Sequence, residues 1–488
     1  MLFNSIEFLL FFPAVVLLYY AIPGKLRVFW ILLTSYLFYM NWNPAYALLL
    51  LFSTAVTFLF GLLIGKRRTK EKAAAEAGRP IHQLSKVWVG VSFAVNLAIL
   101  FFYKYFDFTV DNLNVIRGWM GLAPVTPGFD VLLPVGISFY IFQALSYVVD
   151  VYRGDVRMET NFIKYAAFVS FFPQLVAGPI ERSTNLLTQF DTPHKLEYDN
   201  VRDGLLRMVW GFFLKIVIAD RAAILVNQVF NYCNYYEGPT VLIAAVLFAF
   251  QVYGDFAGYS NIAIGAAQVM GFKLMKNFER PYLAVSVSDF WRRWHISLSS
   301  FFRDYLYIPL GGNRRHVVLN LAIVWALTGL WHGASWNFVL WGLYFFVLLV
   351  IERFTRKYLE KIPGVLRWAA TFLLLVVGWN IFYFTDGMRL LESFRVMLGA
   401  AGTGFADEQL RISFINNLPL LILCILGSTP LPQIVGNTFG MLCASKDGGG
   451  KKSRIYVAVT YVYDLLLLAL CTVALVSSTF NAFLYFRF

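Results

Sequence analysis

An apolar run followed by a basic stretch decides the fold class: YALLLLFSTAVTFLFGLLI at 46–64, then KRRTKEKAAAEAGRPIHQLSK at 66–86. The first stretch has about the 20 residues that an α-helix needs to cross a bilayer. The second carries seven Lys and Arg against two Glu, and such an excess of bases marks a cytoplasmic loop. The pair predicts a transmembrane helix that ends at the cytoplasm.

The same kind of apolar run recurs along the chain. Hydrophobic residues make up 59% of the 488 residues and charged residues only 14%, whereas a soluble domain is nearer a quarter charged. We therefore predict an all-α polytopic membrane protein, a single transmembrane domain over 1–488, with about eleven or twelve spans. They are expected near 6–22, 28–44, 46–64, 87–105, 131–150, 204–230, 239–272, 317–330, 335–350, 368–385, 413–430 and 455–478.

The charged loops predict orientation and location. Bases in the turn at Lys25 and Arg27 and in 352–367 and 446–454 favour the cytoplasm, whereas the base-poor loops near 106–130 and 402–412 favour the outside. Both termini are then expected outside, in a multi-pass cell (inner or plasma) membrane. The net charge of +13 is explained by orientation and anionic lipid, so nucleic-acid binding is disfavoured.

Two segments are too short or too polar for simple spans, 163–180 and 289–310. Irregular backbone persists at membrane depth only where protein or water shields it. We therefore expect both segments to be re-entrant or interfacial and to line an interior cavity.

The ionisable groups gather between 289 and 341. The first part reads DFWRRWHISLSSFFRDYLYIPLGGNRR (289–315), in which Asp289 and Arg293 are spaced to pair on a helix. His295 follows directly. Two interpretations remain open: a functional histidine, or an interfacial amphipathic helix on which His295 is incidental.

The second part is LTGLWHGASWNFVLWG (327–342). A helix from Arg315 to His332 would rise about 25 Å, which places His332 far from the cytoplasmic face, beside small residues at a break between two spans. A histidine titrates near neutrality and suits general-base catalysis, so a functional role is favoured over packing.

A third cluster, QVYGDFAGYSN (251–261), places Asp255 and Ser260 inside an apolar span. An intramembrane carboxylate predicts a site, with pairing to a nearby arginine as the alternative. Other chemistry is disfavoured: we find no nucleophile elbow, no H-E-x-x-H zinc pair and no P-loop, and no bound metal or cofactor is expected.

The strings FFPQLVAGPIER (171–182), 289–314 and 327–342 resemble signature blocks of the membrane-bound O-acyltransferases, in particular the alginate O-acetyltransferase (AlgI) branch. The opening MLFNSIEFLLFFPAVVLLYY and the closing FLYFRF are also similar to that branch. The resemblance implies a ring of helices around a thinned centre. It also implies that His332 is the essential histidine and His295 the second polar position.

The resemblance further implies transfer of an acetyl group from a cytoplasmic thioester, acetyl-coenzyme A or an acyl carrier protein, to an extracytoplasmic partner protein that O-acetylates an exported polysaccharide. We expect His332 and His295 to be catalytic. The expected substrate-binding residues are Trp331, Asn337, Asp255, Ser260, Trp291, Arg292, Arg293, Arg303, Asp304, Tyr307 and Asn313, with Arg314 and Arg315 as further phosphate-binding arginines. The alternatives are D-alanyl or other acyl transfer to a cell-wall polymer, a transporter or flippase, and a scaffold that only anchors an extracellular transferase.

Overall fold

The computed structural model describes residues 1–77, 83–128, 132–176, 178–400, 408–443 and 451–476, so the closing FLYFRF and part of the 402–412 loop lie outside the described residues. Four π-helical segments occur in the described part, at Phe101–Tyr105, Ser183–Leu187, Phe213–Ala219 and Arg303–Tyr307. The α-helices, numbered in chain order, are α1 Ile6–Ala21, α2 Arg27–Met40, α3 Pro44–Glu76, α4 Leu84–Leu100, α5 Phe106–Trp119, α6 Ile137–Arg153, α7 Phe162–Ser170, α8 Phe172–Leu175, α9 Tyr198–Phe212, α10 Asp220–Asn231, α11 Gly238–Val269, α12 Val287–Arg293, α13 Ile296–Phe302, α14 Val317–His332, α15 Trp336–Leu359, α16 Gly364–Tyr383, α17 Gly387–Met397, α18 Glu408–Ser428, α19 Leu431–Cys443 and α20 Lys451–Val476.

Six helical stretches of the described chain are long and apolar enough to cross a membrane. They are α3, the continuous stretch Leu84–Trp119, α11, α15, α16 and Val457–Val476. The pair Phe414–Ser428 and Leu431–Phe439, bent by 69°, would make a seventh, while α1 and α14 are apolar but shorter. The prediction of a helical, multi-pass membrane protein is confirmed, and the ring of eleven or twelve spans remains a prediction.

One predicted boundary was wrong. Helix α3 continues to Glu76, so half of the predicted basic loop at 66–86 is helical, because Lys, Arg, Glu and Ala are all good helix formers once a helix leaves the bilayer. The predicted span at 204–230 lies within a continuous helical stretch that consists of α9, the π-helical segment Phe213–Ala219 and α10, and its crossing of the membrane stays a prediction.

The contacts within the chain define two compact units. Unit one contains Met1–Leu205, Ala263–Met275 and Ser300–Pro309, and unit two contains Leu206–Ile262, Lys276–Ser299 and Leu310–Phe488. Each is described by itself below. The prediction of a single domain over 1–488 stays a prediction.

Unit one contains the predicted re-entrant segment 163–180. It forms α7, which ends at Ser170, and the single turn α8, and its core residues are buried. The carbonyl oxygen of Phe168, near the end of α7, accepts hydrogen bonds from the side-chain amides of Gln143 (2.7 Å) and Gln174 (3.0 Å). These bonds replace the helical partners lost where the helix breaks, which is how an interrupted helix is tolerated inside the protein.

Polar contacts within unit one hold residues 181–183, which follow the break between α7 and α8. The carboxylate of Asp150 accepts hydrogen bonds from Ser183 (2.5 Å) and Tyr305 (2.6 Å), and the guanidinium of Arg182 lies 4.5 Å from the Tyr305 ring. Glu181 is fully buried and accepts the backbone N–H of Met275 at 2.5 Å. Burial raises the pKa of Glu181 to about 7.

Unit two is built around the hairpin of α14 and α15. Glycines allow these helices to touch: a Cβ at Gly329 would collide with the backbone carbonyl of Phe338, and one at Gly342 with that of Trp325. Small residues of this kind permit close packing of membrane helices. The hairpin fixes the position of the residue at its tip, His332.

Candidate active site

His332 is the last residue of α14 and is 4% exposed. The helix stops there because Gly333 takes an extended conformation (φ −166°, ψ 157°). The ring of Phe338, one turn into α15, packs so closely on Gly333 that a Cβ at Gly333 would overlap it. The end of α14 therefore holds an imidazole at a fixed, buried position.

Aromatic rings surround His332. The centroid of its imidazole lies 5.1 Å from that of Trp331, 4.8 Å from Trp341 and 5.4 Å from Phe382, all at nearly perpendicular angles. Aromatic rings attract a cation through their quadrupole, with Trp the strongest. The surroundings of His332 suit an imidazole that becomes positively charged when it accepts a proton.

A narrow cavity adjoins His332, with about 10 Å³ open to the centre of a water molecule. This is roughly the space that one water molecule requires. Its lining is mostly apolar, and the two ionisable side chains in it are His332 and Asp255; the other lining residues are Val252, Phe256, Trp294, Trp379 and Phe382.

Asp255 belongs to a buried charge cluster. The ammonium of Lys215 lies 2.6 Å from the carboxylate of Asp255 and 2.7 Å from that of Asp220, and the three side chains are 1%, 4% and 9% exposed. The alternative from the sequence was that Asp255 pairs with a nearby arginine. Asp255 does form an ion pair, but its partner is a lysine, Lys215. With all three groups ionised the cluster carries one net negative charge, next to the cavity of His332.

His295 lies where α12 ends and α13 begins, and it is 1% exposed. Its backbone is left-handed, with φ 44°, a conformation that costs a residue other than glycine about 1–2 kcal/mol. Nonglycine residues in this conformation cluster at functional sites. His295 is thus buried at a break between two helices and does not lie along the exposed face of an interfacial one.

A polar network holds the His295 ring. Its Nδ1 lies 3.1 Å from Oδ1 of Asn277, which also receives the hydroxyl of Ser297 at 2.9 Å. The amide nitrogen of Asn277 donates to Ser260 at 3.0 Å. Burial lowers the pKa of His295 to about 3, so the ring is neutral at physiological pH.

The two histidines share one neighbour. The ring of Trp331 lies 5.9 Å from the ring of His295 and 5.1 Å from that of His332. The structure therefore brings together His332, His295 and Trp331. Asp255 and Ser260 join them through the shared cavity and the Asn277 amide.

Three other predicted residues of unit two make contacts of their own with neighbouring side chains or backbone. Asn337 donates to the carbonyl of Phe382 at 2.9 Å, a bond that joins α15 to α16. Trp291 packs on Trp325, with ring centroids 4.7 Å apart. Arg293 pairs with Asp289 at 2.9 Å as the spacing predicted.

The predicted arginine cluster divides between the two units. Arg292, Arg314 and Arg315 are exposed residues of unit two, as is Asn313, which accepts a hydrogen bond from Arg353 at 3.2 Å. Arg303, Asp304 and Tyr307 belong to unit one, where Asp304 pairs with Arg303 (2.7 Å) and Arg182 (3.4 Å). Their role in binding a substrate stays a prediction.

Several residues around the histidines were not predicted. Asn277 carries no periodic or motif signal, since it lies in an irregular stretch between α11 and α12. Lys215 did carry one: it is a lone charge in the apolar string FFLKIVIA (212–219), and an intramembrane charge implies a partner. In the described residues no cluster of His, Cys, Asp and Glu is arranged to hold a metal ion.

The chain belongs to the membrane-bound O-acyltransferase family, whose model matches residues 155–394. It is 40% identical over 428 residues, 86% of this chain and 83% of the relative, to the probable alginate O-acetylase AlgI of Pseudomonas putida. It is 31% identical to the peptidoglycan O-acetyltransferase of Helicobacter pylori over 94% of this chain and 91% of that one. The teichoic acid D-alanyltransferase of Bacillus subtilis is 27% identical over 54% of this chain and 69% of its own length. The chain is thus an enzyme, an O-acetyltransferase, as the resemblance of its sequence blocks to this family implied.

Proposed function

We propose that this enzyme moves an acetyl group from a cytoplasmic thioester across the cell membrane for the O-acetylation of an exported polysaccharide. The single observation that carries the proposal is the position of His332, buried at the tip of a helix hairpin within a cage of aromatic rings. The similarity to an alginate O-acetylase over 86% of the chain supports acetyl as the acyl group and a polysaccharide as the final acceptor.

In the proposed reaction His332 acts as general base. It takes the proton from an acceptor hydroxyl, whose oxygen forms a bond to the carbonyl carbon of the thioester. The carbon–sulfur bond then breaks, and the leaving thiolate recovers the proton from the imidazolium. Base catalysis of this type contributes about 10²–10⁴-fold to a rate.

The surroundings of His332 support the charged intermediate state. The rings of Trp331, Trp341 and Phe382 and the net negative cluster at Asp255 all favour a positive imidazolium over a neutral one. The donor in this proposal is acetyl-coenzyme A or an acyl carrier protein. The exposed Arg292, Arg314 and Arg315 would bind its phosphates or acidic side chains. The direct acceptor is a site on an extracytoplasmic partner protein.

The test compares wild type with His332→Ala in proteoliposomes, at equal protein levels. Release of the coenzyme A thiol and appearance of labelled acetyl ester are measured from labelled acetyl-coenzyme A with candidate acceptors. The matched control is His316→Asn, an exposed histidine that precedes the same helix and has a left-handed backbone that Asn tolerates.

We expect His332→Ala to lose at least about 100-fold in transfer while His316→Asn keeps wild-type activity. Full activity of His332→Ala would contradict the proposed base. Turnover of a D-alanyl thioester in place of the acetyl one would favour the D-alanyl alternative. Substrate movement without consumption of any thioester would identify a transporter.

A further inference from the structure

The side-chain amide of Asn277 contacts the ring of His295, with its oxygen 3.1 Å from Nδ1. Both residues are 1% exposed. Besides its side-chain contact, Asn277 uses its backbone carbonyl to accept the N–H of Ile296 at 2.9 Å. Asn277 therefore fixes both the left-handed turn at His295 and the imidazole ring that the turn presents.

The hydrogen bonds identify which amide atom of Asn277 faces His295. The same atom that lies 3.1 Å from Nδ1 of His295 lies 3.3 Å from the backbone nitrogen of Ser297. A backbone N–H can only donate, so the atom that faces it is the amide oxygen. The opposite end of the amide then donates to Ser260, as its 3.0 Å distance requires.

An amide oxygen can only accept, so Nδ1 of His295 must carry the proton in this contact. A bare Nδ1 at 3.1 Å would place two lone pairs against each other. In a neutral imidazole one nitrogen carries the proton and the other carries a lone pair. Protonation of Nδ1 therefore makes Nε2 the acceptor.

We propose that Asn277 is a positioning residue that holds His295 in the Nδ1–H tautomer, so that Nε2 accepts a hydrogen bond from an N–H or O–H group of a substrate. The inference rests on the proposed function. It excludes one role for His295, since a neutral ring of this tautomer cannot donate from Nε2 to the oxygen of the thioester. Both proposed substrates offer the required chemistry, because a phosphopantetheine arm carries amide N–H groups and the acceptor site on the partner protein carries a hydroxyl.

The protonation state agrees with this tautomer. The side chains in contact with His295 include Asn277, Ser297, Phe256 and Trp331, each of which is uncharged. Burial is the cause that lowers the pKa of the ring to about 3, so in the assay range His295 stays neutral and an acceptor at Nε2.

The first experiment uses Asn277→Ala and Asn277→Asp, with Asn96→Ala as the control. Asn96 is also fully buried and hydrogen-bonded, to Ser53 and to the carbonyl of Ser92 in unit one. Loss of a buried hydrogen bond lowers an equilibrium constant or a rate by about 10- to 100-fold. We therefore expect the rate of acyl transfer to fall by this factor in Asn277→Ala at every pH and to stay unchanged in Asn96→Ala. A raised KM for the thioester assigns the bonded group to the donor, and a raised KM for the acceptor assigns it to the hydroxyl substrate.

Asn277→Asp separates the two roles of His295 by the sign of a pH effect. A carboxylate still accepts from Nδ1–H but favours the imidazolium, which would turn Nε2 into a donor. If Nε2 must accept, the activity of this variant relative to wild type at the same pH falls as the pH drops through the new pKa, and recovers at higher pH. If His295 must donate, the activity of the same variant relative to wild type rises as the pH falls, and the proposal is overturned.

The second experiment measures the tautomer directly in the wild type. The chain has only five histidines, so ¹⁵N-labelled rings give few signals, and His295→Asn identifies the signal of His295. A protonated Nδ1 and a bare Nε2 support the proposal, and the reverse tautomer refutes it even if the Asn277 variants fail to fold. If wild type transfers no acyl group from any thioester, the proposed function fails, whereas the tautomer is still measured.

Discussion

The buried cluster of Lys215, Asp220 and Asp255 gives the sharpest prediction about stability. Lys215→Met keeps the length of the side chain and removes its charge. The two carboxylates then remain, with 9% and 4% of their side chains exposed, and neither keeps the ammonium that neutralised it.

The magnitude follows from this burial. Removal of one partner of a buried ion pair destabilises a protein by about 3–5 kcal/mol, because the remaining charge is uncompensated. Here one ammonium serves two carboxylates at 2.7 and 2.6 Å, so we expect at least the upper part of that range. Such a loss lowers the melting temperature by on the order of 10 °C for a unit of this size.

The assay is thermal unfolding in detergent, followed with a dye that fluoresces on reaction with thiols. Cys233, Cys424 and Cys471 are buried and belong to unit two, as Lys215 does, so they report on the same part of the molecule. The control is Lys25→Met, an exposed lysine, for which a change within about 0.5 kcal/mol is expected.

A triple variant completes the test. Lys215→Met combined with Asp220→Asn and Asp255→Asn removes all three charges of this cluster, so its melting temperature should recover most of the loss. If Lys215→Met melts within about 2 °C of wild type, the cluster is not the uncompensated charge system described above. If the triple variant is no more stable than Lys215→Met, the loss arises from packing and not from charge.

Two further predictions concern Glu181 and the α14–α15 hairpin. In the folded protein the carboxyl of Glu181 keeps its proton to about pH 7, whereas in the unfolded chain it loses the proton near pH 4.5. The protonated carboxyl therefore stabilises the fold by up to about 3 kcal/mol. This stabilisation is complete below pH 4.5 and is lost as the pH rises through 7. Melting curves at pH 5 and 8 should show that Glu181→Gln reduces the difference in melting temperature between the two pH values. An unchanged difference would rule out Glu181 as its cause. Gly342→Ala should destabilise the fold by about 1–3 kcal/mol and reduce acetyl transfer, because the new Cβ meets the backbone carbonyl of Trp325. The control Gly436→Ala, with open space around its Cβ, should change neither stability nor transfer. Equal melting temperatures of the two variants would contradict the close packing of α14 and α15.

The apolar runs predicted the long helices well because their signal is local. The spans expected at 317–330 and 335–350 correspond to α14 and α15, and the break between them places His332 at the tip. Hydrophobicity alone could not predict where α3 ends, since the good helix formers after residue 64 continue the helix to Glu76.

The partners within the candidate site depend on contacts distant in sequence. Asp255 was found because a charge in an apolar span is costly, but Lys215 lies 40 positions before it, and no spacing rule connects α11 with the π-helical segment. Asn277 is 18 positions from His295 in an irregular stretch. No helical periodicity applies there, so only the folded chain shows that the two side chains meet.

The left-handed backbone at His295 restricts which amino acids evolution or an engineer can place there. Outside glycine, Asn, Asp and His are the residues enriched in this conformation, and β-branched or bulky residues are rare in it. These three are also side chains with a compact polar group near the backbone. The backbone angle of 44° in the turn between α12 and α13 therefore favours at position 295, besides glycine, side chains that can form hydrogen bonds.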